Sequence, residues 1–253
     1  MIGRDRAGTA GQGSTGVAMR GILFDKDGTL IDFHASWSRV FRELCLDLAE
    51  GDAQRAAVML RQGGMDPDTG VVRAGSVFAA GNSVDIVATW YPGLTPAADS
   101  LMVERIDQVF FENGIRCSVP IPGVKETLAV LAGSGFLMGV ATSDGTAGTR
   151  AALAVLDMQS YLPHVFGYDS VPEPKPAPDI VFAFAEAIGA SPEQIAVVGD
   201  NTHDLEMARR AGAGASVGVL SGTGKANDLA PLADVILDSV RDLPCWLEAR
   251  GHD

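Results

Sequence analysis

Positive charge is scarce in this sequence of 253 residues. Lysine and arginine together number 19 against 32 aspartates and glutamates, so the formal net charge at pH 7 is −13. A chain this acidic is poorly suited to bind nucleic acid or an anionic membrane surface, since both require a basic patch on the protein. If its substrate is an anion, a bound cation or a few placed lysines must supply positive charge locally.

Cysteine is also rare, and long apolar runs are absent. Cys45, Cys117 and Cys245 lie far apart and form no metal-binding pair such as C-x-x-C. We therefore expect three buried thiols that act as small apolar side chains in a reducing, cytoplasmic setting. No apolar run approaches the roughly 20 residues that span a bilayer. Residues 1–18 lack an apolar stretch, so we interpret them as a disordered leader and not as a secretory signal.

Five short apolar runs have the pattern of buried strands. Each is continuous instead of alternating, which is typical of parallel strands covered on both faces, and helical patterns lie between them. The runs are Gly21–Phe24, Leu137–Ala141, Ile195–Val198, Ser216–Leu220 and Val235–Leu237, and core helices are expected at about 124–133, 178–188 and 202–211. The pattern predicts an α/β protein with a Rossmann-like parallel sheet core and helices on both faces.

The stretch from residue 34 to residue 118 interrupts this alternation of strand and helix patterns. It contains amphipathic helical patterns and no convincing buried-strand run. These helices are expected at 37–48, 53–61, 83–90 and 99–113. We therefore predict a mainly helical cap domain at 34–118, inserted into a discontinuous catalytic core formed by residues 19–33 and 119–253.

Two of the predicted strands end in pairs of carboxylates. Asp25 and Asp27 follow the first strand, and side chains at i and i+2 of an extended segment point the same way. Asp200 ends a later strand, and Asp204 follows in the first turn of the next helix. Ligands of open α/β sheets bind at the carboxyl ends of the strands, where a hard cation would relieve the repulsion between carboxylates. A plain Asp-Gly turn and helix capping by Asp204 are the structural alternatives.

Two further segments add hydroxyls and a lysine. Thr142 and Ser143 follow the run Leu137–Ala141, so their hydroxyls and nearby N–H groups can bind phosphoryl oxygens, although the segment also fits a simple turn. Lys175 is one of four lysines in the chain and lies among prolines 172, 174, 176 and 178, which stiffen its loop. A solvated lysine in a proline-rich turn is the alternative.

Taken in order, these pieces resemble the four-motif signature of the haloacid dehalogenase superfamily. The motifs are D-x-D-G-T at 25–29, T-S at 142–143, the proline-bracketed Lys175 and G-D-x-x-x-D at 199–204. The resemblance covers residues 19–243, and the helical insertion is similar to the cap of that family. Pro-Gly-Val at 122–124 and Lys-Pro-x-Pro-Asp at 175–179 resemble the phosphoglycolate phosphatase-like branch.

The resemblance implies a role for each catalytic position. Asp25 would be the nucleophile that forms an aspartyl-phosphate, and Asp27 would protonate the leaving alcohol and then activate water. Mg²⁺ would be held by the Asp25 carboxylate, the Asp27 backbone carbonyl and Asp200. Thr142 would hold a phosphoryl oxygen, and Lys175 would offset the charge of the nucleophile and the phosphate.

Other positions follow from the same resemblance. Asp204 and Asn201 would support the metal or the lysine. Lys26 occupies a position where an apolar residue is expected, and we predict that it points away from the catalytic aspartates. His203 is predicted to face solvent. The residues expected to bind substrate are Ser143, Asp144, Gly28 and Thr29.

The function predicted in this way is magnesium-dependent hydrolysis of a small phosphorylated metabolite, with 2-phosphoglycolate as the leading candidate. A dehalogenase is disfavoured by Asp27, and a phosphonatase by the absence of lysine between residues 27 and 124. A phosphomutase, which shares the catalytic set, and a non-catalytic binding protein remain alternatives, and no oligomeric state is predicted. Cap residues that could contact the substrate, or simply pack or face solvent, are Arg39, Arg42, Arg61, Arg73, His34 and Trp37.

Overall fold

The fold is built on one parallel sheet. The computed structural model describes residues 18–250, apart from the side chains of residues 96 and 97, so the predicted leader falls almost wholly outside the described residues. The strands are β1 Gly21–Phe24, β2 Leu137–Ala141, β3 His164–Phe166, β4 Ile195–Gly199, β5 Ala215–Val219 and β6 Val235–Leu237. They are all parallel and lie in the order β3-β2-β1-β4-β5-β6. The predicted α/β fold class is confirmed.

Eleven α-helices accompany the sheet in the described part of the chain. They are α1 Phe33–Leu48, α2 Ala53–Gly63, α3 Val77–Ala80, α4 Ser83–Trp90, α5 Pro96–Cys117, α6 Val124–Gly133, α7 Thr146–Val155, α8 Asp179–Ile188, α9 Thr202–Ala211, α10 Ala226–Leu229 and α11 Leu243–Arg250. Within the described residues, none of these helices combines the length and the apolarity needed to cross a membrane.

The continuous apolar runs follow from burial on both faces of the sheet. Ile22 and Phe24 of β1 pack into a core cluster with α6, α7 and α11, whereas Leu23 packs on the opposite face with α8 and α9. All four residues of β1 are buried. A strand that must be apolar on both faces cannot alternate polar and apolar residues, which is why the runs could be recognised in the sequence.

Helices α1–α5, here called the cap, lie between β1 and β2 in the chain and have a hydrophobic cluster of their own. Its buried members come from α1 to α5 and the loops between them, and include Phe41, Leu60 and Phe78. The chain enters and leaves the cap at one place, because the Asp32 N–H donates to the Val119 carbonyl at 2.8 Å and the two connecting segments run side by side.

The cysteines differ from expectation. Cys45 is buried in the cap cluster, as predicted, but Cys117 is only partly buried and Cys245 is exposed. The prediction of three buried thiols is therefore wrong for Cys245, which lies on the C-terminal helix α11, where only Leu243 is buried.

Replacing Phe184 with alanine should destabilise the protein by about 3–5 kcal/mol, because this fully buried ring of α8 fills space beside two strand glycines, Gly21 and Gly139. Phe182→Ala on the same helix is the matched control, since Phe182 is 47% exposed and should change the free energy of unfolding by about 0.5 kcal/mol or less. Chemical denaturation measures both values. Similar losses for the two variants would contradict the packing described.

Candidate active site

A cavity of about 50 Å³ lies between the carboxyl edge of the sheet and the cap. Its core side, here called the floor, consists mainly of residues that follow strands β1, β2 and β4. The floor residues are Asp25, Asp27, Thr142, Ser143, Asp144, Lys175, Asp200, Asn201, His203 and Asp204. Parallel strands place their carboxyl ends at one edge, so segments far apart in the sequence meet in one cavity.

Lys175 joins two carboxylates of the floor. Its side chain is only 3% exposed, and its Nζ donates to Asp25 Oδ1 and to Asp204 Oδ1, each at 2.7 Å. Burial alone would lower the pKa of Lys175, but the charges of Asp204 and Asp25 raise it overall. The ammonium group therefore stays charged and holds one oxygen of Asp25 in place.

The second oxygen of Asp25 has a different environment. Asp25 Oδ2 is buried and has no hydrogen-bond partner among the described residues. Burial raises the pKa of Asp25 to about 6, although the charge of Lys175 opposes the shift. A buried carboxylate oxygen without a donor is costly unless it serves a bound ion or a reacting group. Asp25 thus has one fixed oxygen and one oxygen available for chemistry.

Three carboxylates of the floor can approach one cation. One oxygen each of Asp25, Asp200 and Asp204 lies within 4.8 Å of the others. Burial raises the pKa of Asp200 well above its usual range, and the charges of Asp25 and Asp204 raise it further. Asp204 already accepts hydrogen bonds from Lys175 and the Asn201 N–H, so Asp25 and Asp200 are the better ligands. Hard carboxylate oxygens that repel one another in this way fit a divalent metal ion.

The turn after β1 depends on a glycine. Gly28 has φ +93°, and a Cβ at this position would lie 2.7 Å from Asp200 Cγ and 2.8 Å from Gly222 Cα. Only glycine allows the loops after β1, β4 and β5 to approach this closely without strain. Gly28 and the buried Thr29 lie in this turn and do not line the cavity.

Asp27 is held by two neighbours, one from the cap and one from its own turn. The Trp37 Nε1–H of α1 donates to Asp27 Oδ1 at 2.6 Å, and Lys26 Nζ lies 2.6 Å from Asp27 Oδ2. Burial raises the pKa of Asp27 to about 6, while Lys26 and the indole hydrogen bond act in the opposite direction. The carboxylate therefore gains a proton more readily than an exposed aspartate does.

The prediction that Lys26 points away from the catalytic aspartates is wrong. Its side chain is 1% exposed, and its Nζ lies 2.6 Å from both Asp27 Oδ2 and Asp144 Oδ2 and 5.1 Å from the centroid of the Trp37 ring. The alternation of side chains applies to an extended strand, but the chain turns here. The N–H groups of Leu30 and Ile31 both donate to the Lys26 carbonyl, which reorients the side chain.

The segment after β2 contributes one hydroxyl to the cavity and another to the cap. Thr142 Oγ1 accepts a hydrogen bond from the Asp144 N–H at 3.1 Å, so the hydroxyl hydrogen of this buried threonine remains available for another acceptor. Ser143 Oγ donates to the Ala80 carbonyl of the cap at 3.0 Å. The Asp144 carboxylate is bound to Lys26.

His203 also differs from expectation. It is partly buried and lines the cavity, and its Nδ1 is buried without a partner among the described residues. The prediction that it faces solvent is therefore wrong, because from the first turn of α9 its side chain reaches the cavity. Asn201 begins this helix, and its Oδ1 accepts from the His203 N–H while Asp204 caps in return.

The cap side of the cavity, here called the roof, is apolar. Its residues are Phe33, Trp37, Phe41, Phe78, Ala79, Ala80, Gly81, Ile86 and Phe110. None carries a charge, and Trp37 alone among them was a sequence candidate for substrate contact. Arg61, Arg73 and His34 line a separate groove with Lys225. Most of these residues, including Phe41 and Phe78, also belong to the buried cluster of the cap, so no pattern in the sequence could mark them as cavity residues.

A parallel sheet with a carboxylate cluster at its carboxyl edge and a helical cap over that edge is the arrangement of a capped hydrolase with an α/β core. Residues 19–212 match the haloacid dehalogenase-like hydrolase family, and the chain belongs to that family.

Known relatives agree with this assignment. “Probable phosphatase IndB” of Dickeya dadantii (strain 3937) is 30% identical over 232 residues, which cover 88% of this chain and 90% of the relative. Phosphoglycolate phosphatase of Escherichia coli (strain K12) is 30% identical over 234 residues, which cover 89% of this chain and 91% of the relative. The crystal structure of a hydrolase from Pseudomonas syringae has 25% identity and a TM-score of 0.68, covering 91% of this chain and 98% of that one. The chain is a phosphatase.

Replacing Lys26 with methionine should lower the free energy of unfolding by about 3 kcal/mol, because Asp27 and Asp144 then share a poorly hydrated site without their cation. Lys125→Met is the matched control. Lys125 pairs with Asp157 at the surface, where both side chains are about half exposed or more, and the expected loss is about 1 kcal/mol or less. Equal losses in urea denaturation would show that the buried triad does not stabilise the fold.

Proposed function

We propose that this phosphatase is a Mg²⁺-dependent phosphomonoester hydrolase in which Asp25 attacks phosphorus and forms an aspartyl-phosphate. The observation that carries the proposal is the unequal environment of the two Asp25 oxygens. Oδ1 is held by Lys175, and Oδ2 is buried without a hydrogen bond in a residue that lines the cavity. This arrangement orients a carboxylate and leaves one of its oxygens free as a nucleophile.

Lys175 and the metal would offset the charge that builds up on the floor. The lysine binds both Asp25 and Asp204, so it lies where negative charge from a phosphoryl group would add to that of the nucleophile. Mg²⁺, held by the carboxylates of Asp25 and Asp200 and by the Asp27 carbonyl, would neutralise charge on the phosphoryl oxygens. The donor set of hard oxygens supports this choice of cation.

Asp27 would move the proton that each half of the reaction requires. It first donates a proton to the oxygen of the leaving alcohol, and then accepts one from the water that hydrolyses the aspartyl-phosphate. A pKa of about 6 supports both tasks near neutral pH. The free hydroxyl hydrogen of Thr142 would bind a phosphoryl oxygen.

The substrate is proposed to be a small phosphorylated metabolite. The cavity of about 50 Å³ holds only a few water molecules, which favours a small leaving group. A phosphomutase would use the same floor residues, and product analysis with hexose phosphates distinguishes the two reactions. The names of the relatives make 2-phosphoglycolate the first small ester to test.

Asp25→Asn should abolish Mg²⁺-dependent phosphate release from p-nitrophenyl phosphate, with a fall in kcat of at least about a thousandfold, because the amide is not a nucleophile. Asp32→Asn is the matched control: Asp32 caps α1 outside the cavity, and asparagine caps helices equally well. Phosphate is measured with and without Mg²⁺. Full activity in Asp25→Asn, or in wild type without divalent cations, would contradict the proposed mechanism.

Lys175→Ala should lower kcat by about a hundredfold and change KM much less, because the ammonium group acts mainly on the charge that develops at Asp25 and phosphorus. Lys125→Ala, which removes an exposed lysine, should leave both constants unchanged. Steady-state kinetics with p-nitrophenyl phosphate and saturating Mg²⁺ measures the two constants. An effect confined to KM would assign Lys175 to ground-state binding instead.

A further inference from the structure

The cavity has two walls of opposite chemistry. The floor supplies carboxylates, hydroxyls and Lys175, whereas the roof supplies aromatic and aliphatic surface without a charged side chain. The phosphoryl group must lie against the floor, because Asp25 has to reach phosphorus. The rest of the substrate, the leaving alcohol, must therefore lie against the roof.

The polar groups that the roof does contain are already engaged. The Trp37 indole N–H donates to Asp27. The backbone N–H groups of Ala79 and Ala80 donate to the Ser76 carbonyl, and that of Gly81 donates to the Val77 carbonyl. The Ala80 carbonyl accepts from Ser143. These groups cannot serve a charged leaving group without losing the bonds they already make.

The roof is also closely packed, so a cationic side chain from elsewhere in the cap cannot easily enter the cavity. The rings of Phe41 and Phe78 stack with centroids 4.0 Å apart, and the Trp37 and Phe110 rings meet edge to face at 5.4 Å. Elsewhere in the described cap, Arg39 is 82% exposed and pairs with Glu43. Arg42 donates to the Pro67 carbonyl and does not line the cavity.

We propose that the roof selects phosphomonoesters whose leaving alcohol is uncharged and apolar next to the phosphate, and that it disfavours leaving groups with a carboxylate, including glycolate. This specificity rests on the proposed hydrolase function. In the reaction, the P–O bond to the alcohol breaks as Asp25 binds phosphorus, and the alcohol leaves with the proton from Asp27. A carboxylate buried against the roof would lose its hydration without gaining a partner from the roof, since the unpartnered His203 Nδ1 belongs to the floor, whereas an alkyl group would gain from burial.

The first measurement compares two esters of the same shape on the wild-type protein with Mg²⁺. Isobutyl phosphate and 2-phosphoglycolate share the arrangement of heavy atoms and differ in whether the branch is two methyl groups or a carboxylate. We expect kcat/KM to be at least about tenfold higher for isobutyl phosphate. Equal values, or a preference for 2-phosphoglycolate, would overturn the proposed specificity.

A second measurement adds a cation to the roof. Ala79→Lys introduces an ammonium group at a partly buried roof position, and Val84→Lys adds the same charge to the exposed surface of α4, where Val84 is 50% exposed. Ala79→Lys should shift the ratio of kcat/KM values toward 2-phosphoglycolate by at least about tenfold, and Val84→Lys should leave it unchanged. If the two variants show the same ratio, the roof does not determine specificity.

Activity toward p-nitrophenyl phosphate distinguishes a failure of the proposed function from a failure of the proposed specificity. If none of the three esters releases phosphate, the proposed function fails and the specificity fails with it. If the aryl ester is hydrolysed but 2-phosphoglycolate is preferred over isobutyl phosphate, only the specificity is overturned. The wild-type comparison stands alone, so it remains decisive even if Ala79→Lys does not fold.

Discussion

The site depends on the pairing of buried lysines with buried carboxylates. Only four lysines occur in the chain, and Lys26 and Lys175 are the two that the structure buries at the carboxyl edge of the sheet, each between two carboxylates. The carboxylates gathered there are Asp25, Asp27, Asp144, Asp200 and Asp204. Two lysines cannot balance five carboxylates, so the excess negative charge creates the demand that a divalent cation would meet. The two buried lysines thus offset only part of the negative charge at this edge.

Much of the fold could be predicted because its strands are buried on both faces. The bounds of β1, β2 and β6 agree with the prediction, those of β4 differ by one residue at its C-terminal end, and those of β5 differ by one residue at both ends. β3 was missed, since its three residues, His164–Phe166, form the edge of the sheet and are too short for a clear pattern. In the cap, α5 begins earlier and ends later than its amphipathic core predicts, because Thr95 and Pro96 start the helix.

The candidate site could be predicted only for residues whose location follows from their position at the end of a parallel strand. The carboxyl ends of parallel strands share one edge, so the meeting of Asp25, Thr142 and Asp200 follows from topology. Side-chain direction is a different matter. Lys26 lies where the chain leaves the strand and its carbonyl accepts the N–H groups of the following turn, and His203 lies in the first turn of α9 and lines the cavity. These details depend on backbone geometry that sequence patterns do not specify.

The division between floor and roof also explains why similarity to a named phosphatase does not establish that this chain acts on the same substrate. The floor contains the motifs by which the family is recognised, and in the proposed mechanism those motifs act on the phosphoryl group, which every phosphomonoester shares. The roof comes from residues between Phe33 and Phe110, outside those motifs, and its chemistry arises only when aromatic side chains of α1, α3 and α5 meet over the floor. Cationic residues of the cap, Arg61 and Arg73, lie in a separate groove. At 30% identity the floor can be retained while the roof differs, so the leaving group must be judged from the roof of this chain.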